Sequence, residues 1–165
     1  MKKENKILYF VIVIIFFLVA FLLVKNNRHI AIKPEDIKSV NIAGQNIKVD
    51  LALTEAEQTQ GLSGRTSLNE NEGMLFVFPV PGKYAFWMKD MNFPIDMIWL
   101  APSGGGDREA KVVYIKKNAD PKLYPETYGP GPSDGEAKYV LEVVSGFSDK
   151  NNLKVGDSVY FSGIL

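Results

Sequence analysis

The hydrophobic pattern opens with ILYFVIVIIFFLVAFLLV, eighteen residues from Ile7 to Val24 without a charge. As a helix this run reaches about 27 Å at ~1.5 Å per residue, close to the ~30 Å hydrocarbon core of a bilayer. It predicts a single transmembrane helix over 7–24, after a short tail over 1–6 and before a polar, proline-containing linker over 25–39. The alternative is a cleaved signal peptide, but KNNRHI after Val24 offers no small-residue cleavage site. Lys2, Lys3 and Lys6 precede the run and Lys25 and Arg28 follow it, so charge asymmetry orients it only weakly. The chain start reads as a signal-anchor in the cell membrane, with everything after His29 extracytoplasmic.

Past the linker the period shortens to two. In VNIAGQNIKVDLAL (40–53), Val40 and Ile42 share a face that Ile47, Val49, Leu51 and Leu53 can continue, and Gly44-Gln45 suits a type II′ turn. Two antiparallel strands are predicted. TEAEQTQGL then carries Thr54 with Glu57 three residues on, a capping box, and stops at Gly61, which predicts one short helix. The runs GMLFVFP, YAFWMKD, DMIWLA, AKVVYIK, KYVLEVVS and DSVYFSG follow as short strands between Gly, Pro and Asn, with a helical turn in GFSDKNNLKVG. The prediction is an α+β, mostly β domain over 40–165: small, compact and barrel-like, with one or two short helices. Two loops, APSGGGDRE and NADPKLYPETYGPGPSDGEA, are long for such a domain.

Composition narrows the chemistry. The 165 residues include no cysteine and one histidine, His29, which lies beside the membrane run. Lipid acylation of a cysteine is excluded, a transition-metal site is not expected, and no cofactor is implied. From Ile30 onward there are 12 Lys and 2 Arg against 18 Asp and Glu, a net charge of −4. That balance argues against nucleic acid as a partner.

What remains is a set of charges inside apolar runs. In YAFWMKDMNFPIDMIWL (84–100), a hairpin around MNFPI would set Asp90 beside Asp96, or, one residue out of register, Lys89 opposite Asp96 as an ion pair. Asp90, Asn92, Pro94 and Asp96 also read simply as turn formers at a strand end. A calcium site from Asp90 and Asp96 stays open, without EF-hand spacing. In KYVLEVV, Glu142 stands between Val140 and Val144 and needs a partner if buried; Arg65 and Lys89 are the available cations.

Five blocks, GLSGRTSLNENEGMLFVFP, FWMKDMNFPIDMIWL, KNADP, KYVLEVVSG and KVGDSV, resemble in order and spacing the family known as domain of unknown function 192, or uncharacterised protein family 0127. The resemblance spans Val40 to Phe161 and implies a small, mostly β domain. Arg65, Gly73, Met74, Phe86, Trp87, Met88, Lys89, Pro94, Asp96, Leu141 and Glu142 match the family pattern. Ser63, Asp90 and Met91 depart from its usual Met, Asn and Thr. The family brings no established reaction, substrate or cofactor. Within it, Arg65, Trp87, Lys89, Asp96 and Glu142 are the candidate binding residues, because polar groups walled by aromatics resemble a small-ligand pocket. Sugars or small anionic metabolites would suit such a lining. The expectation is a membrane-anchored ligand-binding or accessory module with a small-molecule or protein partner. The alternatives are a carboxylate-dependent hydrolase using Asp96 with Glu142 or Asp90, and a structural domain whose charges serve folding.

Overall fold

The computed structural model describes residues 9–10, 12–19, 32–104 and 108–163. The chain forms two compact units, Met1–Ile30 and Ala31–Leu165. In the first, residues 12–19 are helical. The tail, residues 7–8, 11 and 20–24 of the span expected over 7–24, and residues 25–31 of the linker lie outside the described residues. Among the described residues no helix is long and apolar enough to cross a membrane.

The second unit is a closed seven-stranded barrel. Its strands are β1 (Ile37–Ile42), β2 (Gln45–Ala52), β3 (Glu72–Gly82), β5 (Ile95–Pro102), β6 (Glu109–Ala119), β8 (Ala137–Val144) and β9 (Ser158–Gly163), in the order β1-β2-β3-β8-β5-β6-β9. All pairs are antiparallel except β2–β3. A two-stranded ribbon pairs β4 (Phe86–Trp87) with β7 (Thr127–Tyr128). Helix α1 (Glu55–Gln60) connects β2 towards β3, and α2 (Phe147–Lys150) follows β8. Strand β1 starts at Ile37, inside the stretch read from sequence as linker.

The first turn differs from its prediction by one residue. Ile42 faces Gln45, so the turn is Ala43-Gly44, with φ of 49° and 74°. Two positive φ values define the type I′ turn, whose twist matches a hairpin as well as II′ does. The α1 prediction holds in detail: Thr54 Oγ1 accepts from Glu57 N, the Glu57 carboxylate accepts from Thr54 N, and the helix ends at Gly61.

Two cores follow from the period-two alternation. Val40, Ile47, Leu75, Ile98, Leu141 and Phe161 fill the barrel interior. Residues of opposite parity, Met74, Phe76, Met97, Trp99 and Val140, form a second core with Leu62, Phe86, Met88 and Tyr128. Strands β5 and β8 are therefore buried on both faces, which is why IDMIWL and YVLEV read as continuous apolar runs rather than alternating ones. Each fully buried Leu, Ile or Phe contributes about 1.5–3 kcal/mol over exposure.

Candidate functional site

Elements covering the outer face of β3, β8 and β5 leave a cavity of about 310 Å³ between them. The barrel supplies Phe76, Phe78 and Glu142; α1 and its C-terminal loop supply Glu55, Gln58, Thr59 and Ser63; the segment 84–87 supplies Tyr84, Ala85, Phe86 and Trp87. Specific hydrogen bonds hold these walls. Gln58 Nε2 donates to the carbonyls of Ala52 and Val77, and Trp99 Nε1 donates to Tyr84 O at 2.9 Å. Ser63 Oγ donates to Lys89 O, and Asn92 Nδ2 to Arg65 O, tying the loop after α1 to the turn after β4. That loop passes so close to the barrel that a Cβ at Gly61, whose φ is 49°, would stand 3.3 Å from the Phe76 ring. Phe78 stacks on Tyr84 with ring centroids 3.5 Å apart, and Phe86 meets both Phe76 and Phe78 edge-on.

Glu142 is the polar group of the second core. It is 4% exposed, and its cross-strand neighbours are Met74 on β3 and Met97 on β5, neither of which can donate a hydrogen bond. Its Oε2 is buried with no hydrogen-bond partner. Burial pushes the carboxyl up to about 8, with the Arg65 guanidinium opposing the shift. The acid is therefore mostly neutral at pH 7.

The five sequence candidates do not form one cluster. Glu142 and Trp87 line the cavity together. Arg65 acts on Glu142 through space, but its ion pair is with Asp50 at 2.8 Å, not with Glu142 as the sequence suggested. Lys89 is exposed and lines a second, outer cavity with Asp90, Trp87 and Glu55. Asp96 is fully buried and lines none of the cavities described. Its carboxylate accepts from Asn118 N at 2.9 Å, Gly146 N at 3.2 Å and Ser148 N at 2.8 Å, fastening the α2 entry and the end of β6 to β5.

The hairpin expected around MNFPI does not form. The 84–91 segment pairs through β4 with β7, while β5 pairs with β6 and β8. Asp90 lies in a turn at φ 56°, so neither the Asp90–Asp96 nor the Lys89–Asp96 pairing exists. The expected Asp96–Glu142 pair fails for a different reason. Asp96 faces Val143 and Met97 faces Glu142, so adjacent register positions send the two carboxylates to opposite faces of the sheet. Among the described residues no three His, Asp or Glu side chains gather as a metal site. Sequence reasoning missed Gln58, Thr59, Phe78 and Tyr84, which join the site only through the packing of α1 and the 84–87 segment.

Fold and site together define a small closed β-barrel domain with an aromatic cavity on its outer face. The chain belongs to the DUF192 family, described as "Uncharacterized ACR", whose profile matches residues 38–161. It is similar to the crystal structure of a protein of unknown function from Novosphingobium aromaticivorans, with 32% identity and a TM-score of 0.65 over 74% of this chain and 84% of that one. It is also similar to a Sinorhizobium meliloti protein described as a candidate transcription regulator, with 26% identity and a TM-score of 0.63 over 76% and 92% of the two chains. No curated protein matches the chain.

Proposed function

We propose that this protein is a membrane-anchored, extracytoplasmic module that binds a small molecule in the cavity between α1, the 84–87 segment and β8. The observation that carries the reading is the unpartnered Oε2 of Glu142. Buried acceptors are almost always satisfied, and this one belongs to a side chain that lines an aromatic cavity, which supports a ligand there. The volume, about 310 Å³, lies at the small end of ligand sites. The anchor is supported by the uncharged run over 7–24 and by the exposure of Phe16, Phe17 and Leu18 in the described helical residues. A nucleic-acid role has little support, because the chain from Ile30 onward carries a net charge of −4. A two-carboxylate hydrolase also lacks support, with Asp96 committed to backbone N–H groups.

The test is thermal unfolding of the full-length chain in neutral detergent against small amines, acids, alcohols and sugars. A ligand at 100 times its Kd adds about 2.7 kcal/mol. Thr59→Trp, which fills the cavity from α1, should abolish the shift. Absence of any shift across the panel, or a shift unchanged in Thr59→Trp, would overturn the binding reading. Recovery of the protein in the supernatant after alkaline washing of membranes would overturn the anchor.

A further inference from the structure

We infer that the cavity takes an organic cation, an ammonium group on an aromatic or aliphatic body, with its head at the Glu142 carboxyl and its body against the rings of Phe76, Phe86 and Trp87. This rests on the ligand-binding reading and names its chemical class.

The lining carries two carboxyl side chains, Glu55 and Glu142, and neither lysine nor arginine. An anion would enter a site with no positive partner, whereas a cation finds an unspent acceptor. Arg65, whose charge acts on Glu142 through space, is held by Asp50, so it neither pairs with Glu142 nor stands ready for an incoming carboxylate. Phe76, Phe78, Tyr84, Phe86 and Trp87 share the lining with Glu142, and aromatic rings attract cations most strongly where water is excluded. The sugars and anionic metabolites expected from the sequence fit this lining less well. That expectation counted Arg65 and Lys89 as site groups, and neither lines the cavity.

The same geometry predicts a proton coupling. The titratable and charged groups around Glu142 are Glu55 on α1 and Tyr84, which share its cavity and of which Tyr84 donates its hydroxyl to Val80 O, and Arg65 with its partner Asp50, which acts on it through space. Strands β3 and β5 contribute only Met74 and Met97. With the free carboxyl held up to about 8, a bound cation converts it to carboxylate and releases its proton to solvent. At pH 7 about 0.9 proton leaves per ligand bound. Affinity therefore rises about tenfold from pH 6 to 7, about fivefold from pH 7 to 8, and then levels.

Three probes of similar size separate the possibilities: 2-phenylethylamine, 3-phenylpropionate and 2-phenylethanol, titrated calorimetrically into the full-length chain in detergent at pH 6 to 9. Running each in phosphate and in Tris reads the proton release from the difference in heat. The amine should bind with the stated pH profile, E142Q should lose both the profile and at least tenfold in affinity, and E55Q at the cavity rim should keep the profile. Tighter binding of the acid or the alcohol, or amine binding that is indifferent to pH and to E142Q, overturns the cation assignment and leaves ligand binding standing. Failure of all three probes together with the wider panel overturns both. If E142Q does not fold, proton release by the unmodified protein decides alone.

Discussion

Glu142→Gln replaces the buried acid by a neutral amide of nearly the same shape and isolates what its ionisation costs. The carboxyl titrates near 4.5 in the unfolded chain and near 8 in the folded one. Between these values the folded chain retains a proton that the unfolded chain has lost, so stability falls as pH rises, by about 1.4 kcal/mol per unit. The loss is absent below about pH 4.5, complete above about pH 8, and on the order of 5 kcal/mol in total. Set against the ~5–15 kcal/mol that domains possess, this is large. The side chain is 4% exposed, so solvent screening does little to reduce it. The glutamine variant does not titrate, and its stability relative to the parent should grow by about 4 kcal/mol from pH 5 to pH 8. Equilibrium urea unfolding of both proteins at each pH unit, with equal m-values, reads the difference directly. Parallel stability curves would refute the reasoning, because they would mean that Glu142 ionises as freely in the folded protein as in the unfolded chain.

Two further substitutions test the neighbouring assignments. Asp96→Ala leaves the N–H groups of Asn118, Gly146 and Ser148 without their acceptor and should destabilise by about 3–5 kcal/mol; a urea midpoint within about 0.5 kcal/mol of the parent would contradict the fastening role. Arg65→Met removes a cation that favours the charged form of Glu142, so the carboxyl should titrate further above 8. Carbon-13 NMR of the glutamate carboxyls would show it, and an unchanged or lower value would mean that Arg65 does not act on Glu142.

How far the sequence disclosed this molecule depends on the range of the interactions involved. The capping box at Thr54 and Glu57, the helical turn at Phe147–Lys150 and most strand runs were legible because their causes lie within a few residues. The turn at Ala43-Gly44 was misplaced because an alanine at φ 49° carries no signature of its own. The hairpin around MNFPI was plausible because strands adjacent in sequence usually pair, yet β4 pairs with β7 about forty residues away. Strand β7 itself lies inside a stretch whose prolines and glycines read as loop.

The two buried acids mark the boundary most clearly. Asp96 and Glu142 carry the same signature in the sequence, one acid inside a continuous apolar run. Only the register, with Asp96 facing Val143 and Met97 facing Glu142, sends them to opposite faces of one sheet. On the inner face Asp96 meets three backbone donors lying 22 to 52 residues further along the chain, and its capacity is spent on folding. On the outer face Glu142 meets two methionines and a cavity, and one of its oxygens is unspent. A charge in an apolar run thus announces that some partner must exist. Whether the protein's own backbone supplies that partner is decided by which donors the fold brings to that face, and this is information that neither run contains.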